Sequence, residues 1–229
     1  MNIAVFGTGI VGKTIAAKLS QLGHRVSLGT RNPETTRAKK EGDRSGNPPL
    51  REWLKQHEGI QLADFAKSAA DAEIIFNCTL GSASVEAMHL AGTALDGKIL
   101  ADVANPLDFS QGMPPSLSPG NTDSLGELIQ RTFPDVRVVK TLNTMSAAIM
   151  VNPALIEGNH NVFISGNDAS AKDTVRELLR SFGWEDQSII DLGDITTARG
   201  TEQLLPIWLR LWNTFQTPFF NFSIIKANN

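Results

Sequence analysis

The chain has 229 residues, 41% of them hydrophobic, and a formal net charge of −3, which suits one well-buried α/β domain with at most a small appendage. Its Lys and Arg residues form no basic stripe, which argues against nucleic acid or an anionic membrane as a partner, and no apolar run reaches the roughly 18 residues of a membrane-spanning helix. Cys78 is the only cysteine, so no internal disulfide can form, and His24, His57, His89 and His160 show no ligand spacing, so no metal site is expected. An apolar strand opening at Asn2 leaves no room for a signal peptide, and a cytoplasmic location is expected.

Asn2 to Phe6 reads as a short strand, Gly7, Gly9 and Gly12 form G-x-G-x-x-G, and Ile10 to Leu22 continues at helical spacing. In this strand–turn–helix context Gly7 permits the tight turn, Gly9 lets the backbone approach a pyrophosphate, and Gly12 lets the helix pack on the strand. The free N–H groups and positive dipole end of the helix then face the phosphates. His24 to Leu28 is a second strand, followed by Gly29-Thr30-Arg31. No Asp or Glu stands where an NAD site places one for the adenosine ribose; Thr30, Arg31, Asn32 and Thr35 offer donors instead, which favours NADP(H). A charge-assisted Arg–phosphate bond is worth roughly 1.5–3 kcal/mol, a ten- to hundredfold preference over NAD(H). The alternative is that Arg31 is a solvated loop cation.

Asn32 is placed to cap a helix with Pro33 at its first position. Glu41 to Pro49 reads as an exposed loop and Arg51 to His57 as a short amphipathic helix whose Trp53 and Leu54 are either core or the lip of a site. Strands are expected over Ile60–Leu62, Glu73–Cys78, Lys98–Ala101, Val136–Leu142, Asn161–Gly166 and Ser188–Leu192, with helices over Ser84–Ala91, Ser124–Phe133 and Ser170–Phe182. This alternation defines a doubly wound α/β (Rossmann) fold, with a mostly parallel sheet of about eight strands. Ligands bind such sheets at the C-terminal strand edge, which brings Thr79 and Leu80, Asn105 and Pro106, and Asn143 and Thr144 into consideration. Asn105 could instead be a plain Asn-Pro turn, Ser82 or Ser84 is expected to cap a helix, and Cys78 is expected to be a buried small hydrophobe. Phe109 to Asn121 is a long loop with the composition of a lid or a disordered segment. Lys140 is either a polar helper or half of a structural ion pair, and His160 is expected on a surface loop. Beyond residue 195, Thr196 to Gly200 leads into a helix carrying Leu204, Trp208, Leu211, Trp212 and Phe215, which tolerates Pro206 only in its first turn. The apolar ending Phe219 to Ile225 should dock on the chain's own sheet or on a partner. We therefore expect residues 1–195 to form the NADP-binding domain and residues 196–229 a C-terminal helix and tail.

The set GTGIVG, LGTR, ADVANPLDF, VVKTLNTMSAAIM and DITTARGTEQLLPIWLRLW resembles the NADP oxidoreductases dependent on coenzyme F420 and the dinucleotide-binding enzymes grouped with them, over essentially the whole chain. The same module is similar to the cytoplasmic domain of six-transmembrane ferric reductases. The resemblance implies that Gly7, Thr8, Gly9, Ile10, Val11 and Gly12 hold the pyrophosphate, that Thr30 and Arg31 take the 2'-phosphate, and that Thr79-Leu80, Asn105-Pro106 and Asn143-Thr144 surround the nicotinamide. It further implies hydride exchange between NADP(H) and a second flat redox cofactor, coenzyme F420 or a flavin. The segment between Glu41 and His57 and the loop after Phe109 are longer than the minimal family pattern and are placed beside the second-substrate pocket. A homodimer is expected from the apolar tail and the resemblance.

Ring-to-ring hydride transfer needs orientation more than a protein acid or base, and no catalytic residue is assigned. The chain has no Tyr, which excludes the Tyr-Lys pair of short-chain dehydrogenases, and no His–carboxylate motif. The competing readings are an NADP(H)-binding sensor without turnover and an imine reductase resembling pyrroline-5-carboxylate reductase. The second requires a helical C-terminal domain larger than the segment after the last predicted strand.

Overall fold

The computed structural model describes residues 1–42 and 48–227. The strands are β1 (Asn2–Phe6), β2 (Arg25–Thr30), β3 (Gln61–Asp64), β4 (Ile74–Asn77), β5 (Ile99–Asp102), β6 (Leu107–Asp108), β7 (Ser116–Leu117), β8 (Arg137–Thr141), β9 (Val162–Gly166) and β10 (Ile189–Asp191). The helices are α1 (Ile10–Gln21), α2 (Pro33–Ala38), α3 (Leu50–Lys55), α4 (Phe65–Ala70), α5 (Gly81–Ala91), α6 (Leu125–Thr132), α7 (Ala147–Val151), α8 (Ala169–Phe182), α9 (Ala198–Glu202) and α10 (Leu205–Phe215).

Eight strands form one sheet in the order β10-β9-β8-β5-β4-β1-β2-β3, and each matches an expected strand to within two residues. All neighbours are parallel except β8 and β9. The central strands β1, β4 and β5 are almost wholly buried, as continuous apolar runs must be when helices cover both faces. One face carries Ile3, Val5, Ile15, Leu19 and Phe182 in its core; the other carries Phe6, Phe65, Met88 and Ile129. The chain steps from β1 outward to β2 and β3, then returns to β4 on the other side of β1, so the sheet has its topological switch point there. Register aligns Phe6, Asn77, Asp102 and Lys140 across β1, β4, β5 and β8, setting their C-terminal ends level.

The expected Asn32 cap forms, its side chain accepting the Thr35 amide. At α6 the Ser124 hydroxyl accepts the Glu127 amide and donates to the Glu127 carboxylate, and at α8 Asp168 accepts the Ala171 amide. Pro206 lies in the first turn of α10.

Three expectations are corrected and two helices are added. Helix α5 begins at Gly81 rather than Ser84, with Leu80 as a cap lacking a side-chain bond, so neither serine caps it. The loop after Phe109 is closed by the antiparallel ribbon of β6 and β7. His160 is buried rather than on the surface: its Nε2–H donates to the Pro153 carbonyl at 3.1 Å, its Nδ1 accepts from Asn221 at 3.0 Å, and Trp184 meets it edge-on. Helices α4 and α7 are short connecting helices that no pattern announced. Of the loop expected over Glu41–Pro49, residues 43–47 lie outside the described residues.

Helix α9 packs Ala198 into the core, whereas α10 and the tail lie on the surface. Phe220 stacks on Trp208, the Phe222 carbonyl accepts the Asn161 amide at 2.9 Å, and the Ile224 amide donates to Asn161.

Candidate functional site

The turn after β1 separates the three glycine roles by geometry. Gly7 sits at φ +109, in the left-handed region, and a Cβ there would lie 2.5 Å from the Cys78 carbonyl oxygen. A Cβ on Gly12 would lie 2.0 Å from the Gly7 carbonyl oxygen, so only glycine lets α1 approach the turn. A Cβ on Gly9 would meet nothing within 4 Å. Gly9 is the N-cap of α1 and supplies no side-chain bond, and the first turn holds no acidic residue. An open glycine before an uncapped helix start suits an approaching pyrophosphate. Thr8 and Val11 are half-buried in this turn, and Ile10 is exposed.

The turn is tied to its neighbours on both sides. The Gly7 amide donates to the Gly29 carbonyl at 3.0 Å, which fixes it against the end of β2. There Thr30 shares a hydroxyl bond with Thr36 at 3.0 Å, and Thr35 is exposed with its amide on Asn32. The Arg31 guanidinium is 65% exposed and lies 3.8 Å from the Glu86 carboxylate of α5, a loose ion pair rather than a fully solvated cation.

On the other side the loops after β4, β5 and β8 touch in series. A Cβ on Gly81 would lie 2.2 Å from the Asn105 carbonyl oxygen, so the first and second loops are in backbone contact. Asn105 Nδ2 donates to the Asn143 carbonyl at 2.8 Å, and Asn143 Nδ2 donates to Asn105 Oδ1 at 3.0 Å. Asn105 is therefore a clasp between loops and not merely a turn former. Leu80 is exposed beside this edge, whereas Pro106, Asn143 and Thr144 are buried.

Beneath these loops lies a buried polar network that the sequence reading largely missed. The side chain of Lys140 is 0% exposed, and its ammonium donates to Asp102 Oδ2 at 2.9 Å, to Glu202 Oε1 at 2.8 Å and to the Ala104 carbonyl. The open question about Lys140 is settled for the ion pair. Burial pulls its pKa down, but the charges and hydrogen bonds of Asp102 and Glu202 outweigh that and hold it above the usual lysine range. Asp102 Oδ1 accepts from Asn77 Nδ2 at 2.7 Å and from the Ala104 amide at 3.2 Å. Asn77 Oδ1 accepts the Thr79 hydroxyl at 2.7 Å and amide at 3.3 Å, while Ser84 is shared with Asn77 Nδ2 at 3.1 Å. Glu202 also accepts the Leu125 and Gly126 amides at 2.8 and 3.1 Å, occupying donors at the start of α6. The available signal was a polar residue closing each of three apolar strands, Asn77, Asp102 and Lys140.

Cys78 packs against the core, and burial first, then the Asp102 charge, pushes its thiol far above the ordinary range, which leaves it unreactive. Trp53 packs on the core, stacks on His57 at 4.1 Å, and also walls an open cleft of about 490 Å³ along α1 with Ile10, Lys13 and Asn152. It is both core and lip. Among the described residues no group of His, Cys, Asp and Glu could hold a metal ion, and no helix is long and apolar enough to cross a membrane.

A mostly parallel sheet with this glycine turn at its switch point defines a dinucleotide-binding fold. A family described as NADP oxidoreductase, coenzyme F420-dependent, matches residues 2–106. The crystal structure of a candidate F420-dependent NADP-reductase from Arthrobacter sp. FB24 is 56% identical, covers 99% of this chain and 100% of that one, and superposes with a TM-score of 0.93. The chain belongs to this family. Metalloreductase STEAP3 of Rattus norvegicus is 29% identical over 90% of this chain, which spans only 38% of that relative's length. A reductive aminase from Aspergillus terreus, solved in complex with NADPH, is 18% identical with a TM-score of 0.61, covers 94% of this chain and 62% of that one, and shares the fold alone.

Proposed function

We propose that the chain binds NADP(H) across the C-terminal ends of β2, β1, β4, β5 and β8 and exchanges a hydride with a second flat redox cofactor, a deazaflavin such as coenzyme F420 or a flavin. The observation that carries this is the unbroken series of contacting loops: Gly29 to Gly7, Gly7 to Cys78, Gly81 to Asn105, and Asn105 to Asn143. It runs along the C-terminal strand edge, where open α/β sheets bind their ligands.

In this reading Gly7, Thr8, Gly9, Ile10, Val11 and Gly12 receive the pyrophosphate on the open start of α1. Thr30, Arg31 and Thr35 take the 2'-phosphate, with Arg31 leaving Glu86 to do so. Thr79, Leu80, Asn105, Pro106, Asn143 and Thr144 hold the nicotinamide end. When bound, the reduced nicotinamide supplies the hydride. The protein contributes orientation, which can replace a large part of a bimolecular barrier. Lys140 does not act as a proton donor, because all three of its N–H bonds are engaged in the buried triad. Cys78 packs against the core and is given no part in the chemistry.

Residues 1–195 carry the dinucleotide site. Within 196–229, α10 and the tail expose Ile207, Trp212, Phe215, Phe219 and Ile225, and we assign this apolar surface to a homodimer contact.

Fluorescence titration with NADPH and NADH, followed by turnover with a deazaflavin, a flavin, a quinone and a ferric chelate, tests the proposal, with light scattering reporting the assembly. NADPH is expected to bind at least about tenfold tighter than NADH and to be consumed with a flavin or deazaflavin. Binding without consumption by any acceptor would move the protein to the sensor class, and equal binding of the two nucleotides would remove Arg31 from the phosphate site. A monomer at micromolar concentration would remove the dimer.

A further inference from the structure

The buried network under the loops is larger than a salt bridge needs to be, and its ends are informative. Its two termini on the sheet edge are main-chain atoms: through Asn77 and Ser84 it reaches the Thr79 amide and the Leu80 carbonyl, and through Asp102 and Lys140 both polar atoms of Ala104. A buried ion group is a weak source of stability, since well-packed apolar side chains of the same volume often do as well. Directed hydrogen bonds, by contrast, fix where a backbone sits.

We propose that Asn77, Ser84, Asp102, Lys140 and Glu202 are positioning residues that set the backbone of the loops after β4 and β5, and so the nicotinamide end of the site, independently of the adenine end. The inference rests on the assignment of those loops to the nicotinamide made above. Lys140 is the hub: its three donors bring together the end of β5, the loop carbonyl of Ala104 and the carboxylate of α9. Helix α9 thereby reaches the site without touching it. Gly81 against Asn105, and Asn105 against Asn143, pass the position of one loop to the next. Among the described residues the turn after β1 and the Thr30-Arg31 end share no hydrogen bond with the network's side chains, and they meet it only through the packing of Gly7 on Cys78 and the loose Arg31–Glu86 pair.

Asp102→Asn keeps the shape but sets an amide N–H₂ against either Lys140 or the Asn77 and Ala104 donors. Ser84→Ala trims the margin of the network inside a helix, where alanine is well tolerated. Each variant is compared with wild type by amide hydrogen exchange on the ligand-free protein and by the affinities of NADPH and of 2',5'-ADP, which lacks the nicotinamide. In Asp102→Asn, exchange over residues 79–81 and 103–107 should rise about tenfold or more, with β1 and β2 unchanged; NADPH should weaken about tenfold while 2',5'-ADP stays within about twofold. Ser84→Ala should move the same readouts about threefold. Should Asp102→Asn fail to fold, Ser84→Ala decides. Unchanged exchange in those two segments, or an equal loss of NADPH and 2',5'-ADP affinity, would overturn the proposal. Failure of wild type to bind NADPH would defeat the functional reading instead, and the exchange arm would still report whether the network holds the loops.

Discussion

The two ends of the strand edge are built in opposite ways. At the β1–β2 end the proposed recognition elements are backbone atoms of a glycine turn and an exposed guanidinium, with Gly9 open and Arg31 65% exposed. At the β4–β5–β8 end the exposed surface is loop, and the chemistry lies underneath it in Asn77, Asp102, Lys140 and Glu202, each at most 2% exposed. A phosphate is bound by whatever donors meet it, so the first end can be shallow. An orientation must be held rigidly, so the second end is supported from below. Substitutions at the first end should therefore divide cleanly into those that break the fold and those that break binding.

The largest expected effect tests that division within a single motif. Gly12→Val places a side chain 2.0 Å from the Gly7 carbonyl oxygen, a main-chain atom that cannot yield without moving α1 off β1. A loss of about 3 kcal/mol or more is expected, a fall of roughly 6–12 °C in melting temperature, with NADPH binding gone. Gly9→Ala introduces a methyl that meets nothing in the protein, at a φ of −74 that alanine adopts freely. Its melting temperature should stay within about 2 °C of wild type while NADPH affinity falls about tenfold, because the methyl occupies the space a pyrophosphate needs. Equal destabilisation by both variants would dissolve the distinction between packing and binding glycines.

Arg31→Ala is the next step down. The exposed pair with Glu86 at 3.8 Å contributes little, about 0–1 kcal/mol, so the melting temperature should hardly move. The loss of a charge-assisted phosphate bond should remove a ten- to hundredfold preference for NADPH over NADH, about 1.5–3 kcal/mol, measured by paired titrations. A retained preference would place the phosphate on Thr30 and Thr35 alone.

The same contrast explains what the sequence made legible. The glycine turn and the Thr30-Arg31 end were readable because contiguous residues form them and each residue type has a physical reason to be there. The inner strands β1, β4, β5, β8 and β9 were readable because burial on both faces demands apolar runs. Asp102 and Glu202 were not, since they meet Lys140 only in three dimensions, from β5 and α9, and no period or spacing links them. Local propensity makes Ser84 a helix cap, because serine favours that position and glycine is a poor helix former. Gly81 opens α5 because no Cβ fits against Asn105, a contact between loops that local propensity does not encode. His160 was placed outside because nothing in its neighbourhood announces that Trp184 and Asn221 cover it.

The smallest expected effect concerns the periphery of the supported end. Glu127 accepts two bonds from Arg199, at 2.8 and 2.5 Å, and so ties α6 to α9 beside the Glu202 contact. The Arg199 hydrogen bonds pull its carboxyl below the usual glutamate range, against an opposing effect of burial, and the Ser124 hydroxyl adds to the lowering. A carboxylate whose pKa is depressed on folding contributes stability that is complete above its unfolded value of about 4.3 and is lost as pH falls through the folded value. Glu127→Gln keeps the amide bond to the Ser124 hydroxyl and an acceptor for that hydroxyl but removes the charge. The variant should melt about 1–3 °C below wild type at pH 7, and the two curves should converge as pH falls below the unfolded value and through the lowered folded one. NADPH-to-NADH discrimination should be unchanged, because Arg31 lies at the other end of the edge. A difference that persists undiminished at acid pH would mean that Glu127 acts through packing rather than charge, and the α6–α9 tie would then be steric.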